Sequence, residues 1–376
     1  MKVGMVSKYP PEENGVGIYS ARLCEELAEI GIGTVRIGDS ESATADYRVD
    51  LKSLALKWRL KGIVEKEGID LLHIQHIASH YSKLALNANL LIAMRQKVPV
   101  IATLHEVHTT THTLRDRALS WIEGMIARKA SAIIAHTKQQ KEHMQHRHGK
   151  KESFLAYMGT EQADVHKLKG RNILLFGMLN YGKGAEYLIR AMNELPGYKL
   201  IVAGKAVSRG YEKLLREEAA ENKQGNVMLD IRWIPEDAKE KYLEEADIMA
   251  FPYVWAPYQS AAMHNAISRG IPLVATDAGA IDEVVKGYIC GRVVEQRSPK
   301  ALAAGIKAVY GNYETYQHGA LKYRKEAAWA RTAERHAQIY NETLQEHYAK
   351  HGLPERRRAD KEIAEAAKDE AEMFNM

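Results

Sequence analysis

The sequence is short of cysteine, of long apolar runs and of surplus charge, and each shortage closes off a class of protein. Cys24 and Cys290 are the only cysteines in 376 residues. Two thiols so far apart in the chain provide neither a disulfide framework nor a zinc site, and a reducing compartment is expected. No stretch approaches the ~18 consecutive apolar residues of a membrane span, and the opening MKVGMVSKYPPEENG turns polar too early for a signal peptide. With 53 basic and 48 acidic residues the formal charge is +5, too small an excess to call for nucleic acid. A cytoplasmic protein is expected on these grounds. What is present fits a globular fold: 45% apolar and 27% charged residues argue against disorder. The length is about twice the ~150-residue domain prior, so two domains are expected.

The first half alternates short apolar runs with helical patterns. Lys2–Ser7 leads into the turn-rich Pro10–Gly17, and an amphipathic helix follows over Ile18–Ile30. Further runs lie at Thr34–Ile37, Leu71–Gln75, Val98–Leu104 and Ser131–Ala135, with helical patterns at Leu84–Gln96 and Arg115–Arg128. The second half restarts the same grammar at Asn172–Phe176, a glycine loop and a helix over Ala185–Leu195. Strands recur at Lys199–Ala203, Val227–Ile231, Ile248–Phe251, Leu273–Ala275 and Ile289–Val294. Alternation of this kind implies βαβ units and parallel sheets. The chain therefore reads as two doubly wound α/β domains facing a cleft, residues 1–165 and 166–312, joined through the polar Gln162–Arg171. Helical patterns at Ala301–Val309 and Tyr323–Tyr348 follow, with residues 313–350 packing back across the domains. Residues 351–376 form a charged tail, read as a solvated helix or frayed end.

Three segments carry chemistry. In FGMLNYGKG, Gly177 to Gly184 lie between a strand and a helix, where backbone can approach a ligand and helix amides suit phosphate. Lys183 sits where the helix dipole disfavours a cation, so an anion is needed to offset it. A plain strand–turn–helix with a surface lysine is the competing reading, and spacing alone does not separate the two. It is no Walker loop, because Gly184 follows the lysine. Gly15 and Gly17 occupy the equivalent place in the first domain, a weak dinucleotide fingerprint with Asp39 the only acidic candidate. Histidines gather at strand ends as LLHIQH (His73, His76) and TLHEVHTT (His105, His108). His-Glu-x-His lacks the spacing of a zinc helix, so no metal is expected. His105 reads as a hydrogen-bonding site residue, whereas His73 could equally be a satisfied buried histidine. In the third segment Ser260 or Gln259 begins a helix after a strand ending at Pro252; its hydroxyl and amide groups could simply cap the helix, the simpler role, or in a cleft bind phosphate or ribose, and the two roles are compatible.

Taken together, the opening KVGMVSKYPPEENGVGIYS, HIQH, TLHEVHTT, IIAHT, FGMLNYGKGAEYLIRAM, EEADIMAFPY and GIPLVATDAGAIDEVV resemble family 4 glycosyltransferases with the GT-B fold. The resemblance covers about Lys2–Tyr340. It implies a retaining, metal-independent transferase without a cofactor, moving a mannose- or glucose-type hexose from a nucleotide-sugar donor to a glycan, lipid-linked or small-molecule acceptor. A non-catalytic partner subunit that binds sugar nucleotides is the alternative. An epimerase would need a cluster of cleft carboxylates that is not seen. The resemblance assigns Lys183 to the donor diphosphate and His105 to the transferred sugar. It puts Gly15, Gly17, Gly177, Met178, Gly184, Gln259, Ser260, Ala261 and Asn265 on the donor side, His76 and His108 on the acceptor side, and the base near Trp233–Glu236. Two departures stand out: Met178 replaces the usual arginine, and the Glu-x7-Glu pair falls at Pro257 and Asn265. Finally, Arg115–Lys151 is basic and amphipathic, which suits either a core-facing helix with a solvated side or peripheral docking on anionic lipid.

Overall fold

The apolar runs form two parallel sheets in the computed structural model, which describes residues 1–11, 15–81, 87–109, 113–150, 152–255 and 259–352. The first holds β1 (Lys2–Val6), β2 (Gly33–Gly38), β3 (Tyr47–Arg48), β4 (Leu71–His76), β5 (Val100–Leu104), β6 (Ala132–Ala135) and β7 (Ser153–Leu155). Their order is 3-2-1-4-5-6-7. Its helices are α1 (Gly15–Glu29), α2 (Leu56–Glu67), α3 (Ala78–Tyr81), α4 (Ala88–Ala93), α5 (Leu114–Lys129) and α6 (Lys138–His148).

The second sheet holds β8 (Asn172–Phe176), β9 (Lys199–Ala203), β10 (Val227–Asp230), β11 (Ile248–Phe251), β12 (Leu273–Thr276) and β13 (Gly291–Val294), in the order 10-9-8-11-12-13. Around it pack α7 (Ala185–Ala191), α8 (Arg209–Ala220), α9 (Glu236–Glu245), α10 (Ala261–Ser268), α11 (Ala280–Tyr288) and α12 (Pro299–Gly311). Two further helices, α13 (Tyr313–Glu326) and α14 (Trp329–His351), follow.

Every residue of β4, β5 and β11 is buried, as parallel strands covered by helices on both faces must be. Helix ends follow local chemistry: Thr113 and Asp116 exchange side-chain-to-amide bonds in a capping box that starts α5. Each sheet carries a core on both faces. One face of the first sheet buries Val3, Met5, Leu23 and Ile134 against Ile339, Tyr340 and Leu344 of α14, whereas α13 packs Ala320 and Tyr323 into the second domain. The apolar spacing over Tyr323–Tyr348 predicts one helix, and the structure has two. The break at Ala327–Ala328 lets the chain cross between domains, where Thr160 N donates to the Ala327 carbonyl (2.7 Å). The domains also meet at α11 and α6. The Glu283 carboxylate accepts the Lys138 and Gln139 amides, each at 2.8 Å, where the dipole of α6 favours an anion.

Smaller differences have local causes. The helix expected from Ile18 begins at Gly15, so Gly17 lies inside its first turn. Ile289 is not a strand residue; it holds φ 53° as the left-handed cap of α11. The pattern over Leu84–Gln96 is helical at Ala88–Ala93, and residues 82–86 lie outside the described residues. The tail beyond Gly352 lies outside them too.

Candidate active site

In each sheet the strand order reverses once, between β1 and β4 and between β8 and β11. Connections leave such a point in opposite directions and open a crevice at the carboxyl ends of the strands. A cavity of about 450 Å3 joins the two crevices. The first domain lines it with Gly15 and Val16 after β1, Ile77 after β4, and His105 and Glu106 after β5. From the second come Phe176, Gly177, Met178, Asn180 and Lys183 after β8, and Gln259 to Ala262 with Asn265 after β11.

The wall from the second domain presents its polar atoms. Gly177 has φ 123°, reserved in practice for glycine, with open space where a Cβ would point. Asn180 Oδ1 accepts the Gly182 amide (2.8 Å), and Val254 N donates to the Gly182 carbonyl (2.9 Å), so the two loops hold each other. Lys183 is 9% exposed, and its Nζ stands 3.8 Å from the centre of the Tyr253 ring, a cation–π seat for a buried ammonium.

The start of α7 differs from the sequence expectation. Gly184 lies off the cavity, at φ 62° and packed so that a Cβ would stand 2.1 Å from the Pro252 carbonyl. The first helix amide, Ala185 N, donates to the Tyr211 hydroxyl (3.1 Å), which donates to Glu186 (2.6 Å). That amide is capped within the domain. Helix α10 takes the place expected of it. Ser260 makes no capping bond; its hydroxyl sits 3.3 Å from that of Tyr253, and the Ala261 and Ala262 amides find no acceptor among the described residues. The capping reading of Ser260 is therefore corrected, and α10 turns its positive end toward the cavity. Gln259 Nε2 donates to the Ala280 carbonyl (3.4 Å) while its buried Oε1 has no partner. Asn265 lies one turn further along the cavity wall. Pro257 lies outside the described residues.

The wall from the first domain spends its polar atoms internally. His105 Nε2 donates to Gln75 Oε1 (2.8 Å), and its Nδ1 faces His136 Nε2 at 3.3 Å. His136 Nδ1 donates to the Ala156 carbonyl (2.9 Å). Tyr19 meets both rings edge-on. Burial holds His105 well below the ordinary imidazole range, and His136 is pushed down to about 4 for the same reason. His105 is thus a neutral residue of the cavity wall, held through Nε2 by Gln75; the His136 Nε2 opposite its Nδ1 is likewise a lone pair, so those two nitrogens do not bond each other. His73 is satisfied between Tyr340 OH and Thr103 Oγ1, each at 2.7 Å.

Three other expected residues lie off the cavity. Gly17 is buried within α1. His76 is buried and stacked on Tyr81, and burial depresses its pKa to about 3. His108 bonds through Nδ1 to Glu123 (2.5 Å); burial opposes its charge, but the Glu123 carboxylate outweighs burial and raises its pKa. Sequence reasoning missed Glu106, the one carboxylate lining the cavity among the described residues. Burial raises its pKa against the pull of His108 and Arg115. Its place between two noted histidines at the end of β5 was the available signal. Among the described residues no group of three or more His, Cys, Asp or Glu could hold a metal ion.

Comparison with known proteins agrees with this geometry. Residues 14–156 match the model of Glycosyltransferase Family 4, and residues 160–326 that of Glycosyl transferases group 1. An uncharacterised glycosyltransferase of Methanocaldococcus jannaschii is 30% identical over 145 residues, 38% of this chain, which spans only 36% of that relative. A second uncharacterised glycosyltransferase of the same organism is 23% identical over 363 residues, covering 91% of this chain and 98% of its own. The Anabaena protein HepE, solved in complex with UDP-glucose, superposes with a TM-score of 0.70 at 16% identity, over 92% of this chain and 100% of that one. Two doubly wound parallel sheets with a shared cleft cavity and matches to both family models make this chain a glycosyltransferase of the family 4, group 1 type with the GT-B fold.

Proposed function

We propose that the enzyme transfers a hexose of the glucose or mannose type from a nucleoside diphosphate sugar, with retention at the anomeric carbon and without a metal ion. The acceptor is a glycan, a lipid-linked sugar or a small molecule. The observation that carries this reading is the pairing, in one cavity, of the buried Lys183 ammonium with the unpaired amides at the start of α10. Among the described residues Lys183 is the only cation in the lining, Met178 standing where a second is usual. The UDP-glucose bound by the structurally similar HepE supports a donor of this kind.

In the reaction the bond from the sugar C1 to the diphosphate breaks, and its electron pair leaves on the phosphate oxygen. Lys183 and the α10 amides line the cavity where that charge grows as preorganised donors, so little reorganisation is needed. The acceptor hydroxyl oxygen bonds to C1 on the face the leaving group vacates, and its proton passes to the departing phosphate. Glu106 accepts a hydroxyl of the sugar, and Asn265 bonds the ribose more weakly than a carboxylate would. His105 and Gln75 hold the wall in place. The α5 surface, with exposed Leu114 and Trp121 beside Arg117, Arg128 and Arg147, is proposed to touch anionic lipid. Lys151, at the end of that basic stretch, lies outside the described residues.

A thermal-shift panel of nucleoside diphosphates and their hexoses tests the donor. One base is expected to raise the melting temperature, with slow hydrolysis of the matching sugar nucleotide. A panel with no stabilising member would overturn the assignment. Vesicle cosedimentation that is insensitive to salt would remove the lipid contact.

A further inference from the structure

A second cavity, of about 540 Å3, lies on the far side of the Gln259–Ala280 hydrogen bond. Glu106 lines the donor cavity and the adjacent Val107 this one, so the two cavities are neighbours at the end of β5. Its lining adds the ends of β12 and β13 and the start of α6, which the donor site does not use, to residues after β5 and β11, on which both cavities draw. The volume is within the ~300–1,000 Å3 usual for small-molecule sites.

The chemistry of the lining is selective. Asp277, Glu295 and Arg297, all three exposed, line this one space, and none of their side chains has a hydrogen-bond or ion-pair partner among the described residues. Gln139 and Thr109 add an amide and a hydroxyl from the first domain, and Trp255, 42% exposed, adds an indole face. Arg297 also holds φ 55°, a left-handed conformation that strains an L-residue. A phosphorylated ligand would meet two carboxylates for one guanidinium. A purely apolar ligand would strand all the polar groups. A polyhydroxylated ring satisfies them, because each hydroxyl both donates and accepts and the C–H face of the ring packs on an aromatic side chain.

We infer that this second cavity is the acceptor subsite, and that it takes an uncharged sugar through Trp255, Asp277, Glu295 and Arg297. The inference rests on the donor reading above and narrows its acceptor to a neutral carbohydrate. It also moves acceptor recognition from His76 and His108 to loops of the second domain.

The test is binding of methyl α-glucoside, methyl α-mannoside and their disaccharides to the full chain, followed by saturation-transfer NMR with and without nucleoside diphosphate. Glucose 6-phosphate and glucuronate serve as anionic comparators. At least one neutral saccharide is expected to bind, and Asp277→Asn and Trp255→Ala are each expected to weaken it at least tenfold. Arg297→Gly is the decisive variant: glycine accepts φ 55° without strain, so the fold is kept while the guanidinium is lost, and saccharide binding falls. Tighter binding of the anionic sugars, no saccharide binding, or unchanged affinity in all three variants would overturn the inference. The donor reading fails separately, through absence of nucleoside diphosphate binding in the same samples.

Discussion

The two halves of this molecule share one topology and differ in how they treat polar atoms. At the reversal point of the first sheet, His105 is bonded to Gln75, and His73 lies between Tyr340 and Thr103. At the reversal point of the second, Lys183, the α10 amides and Gln259 Oε1 face the cavity. A crevice at the carboxyl ends of strands is therefore only an opportunity. Whether it binds an anion depends on whether nearby side chains have already capped its donors. Tyr211 does so at α7, and Ser260, turned toward Tyr253, does not do so at α10.

The comparison predicts that damage to the first half shows as lost stability and damage to the second as lost chemistry. The largest effect is expected from Tyr340→Ala, which empties the core beneath β1 and removes the hydroxyl 2.7 Å from His73 Nδ1. Loss of a buried aromatic costs about 3–5 kcal/mol, read as a shift in the urea midpoint. A midpoint unchanged within error would dissolve the contrast. Lys183→Ala is next: it should lower turnover by a hundred- to a thousandfold, ~2.7–4 kcal/mol, with little change in melting. The exposed Lys205, outside the cavity, gives the control; equal loss in Lys205→Ala would remove Lys183 from its role.

Acid sensitivity should sharpen the contrast further. His73, His105 and His136 of the first domain and His336 of α14 are held neutral by burial, His136 and His336 down to about 4 against an ordinary 6.5. Above pH 6.5 neither folded nor unfolded chain protonates them. Between 6.5 and about 4 the unfolded chain binds protons that the folded one refuses, so stability falls as pH falls. Each group adds a slope of up to about 1.4 kcal/mol per pH unit. Denaturation series at pH 7, 6 and 5 should show this decline, and a His136→Phe variant should flatten it; identical midpoints throughout would refute it. The smallest effect is reserved for the contact between the halves. Glu283→Ala removes an acceptor from two amides of α6 and should cost about 0.5–2 kcal/mol, in the range of a lost helix cap.

Most of the architecture was legible in the sequence because parallel strands buried on both faces read as unbroken apolar runs, as AIIA and IMAF do. Two-residue β3 and three-residue β7 were invisible, since edge strands so short carry no pattern. The glycine loop and the segment from Gln259 to Asn265 could be placed at the cavity because strand-end loops belong there by topology. Side-chain partners were not legible. Nothing local in TLHEVHTT says that His105 is bound to Gln75, about 30 positions away on the neighbouring strand, while Glu106 lines the cavity. Nor could periodicity detect the break at Ala327–Ala328, which arises because α13 and α14 pack on different domains.

That break has a consequence for anyone exchanging lobes among relatives. The first lobe is discontinuous in sequence: α14, which supplies its floor, is made only after the whole second domain. A single crossover near Thr160 would graft a foreign α14 onto the native first sheet, mismatching Ile339, Tyr340 and Leu344 with the side chains they must fit. Recombination that respects the fold needs two cut sites, the second at Ala327–Ala328, so that both pieces of the amino-terminal lobe travel together.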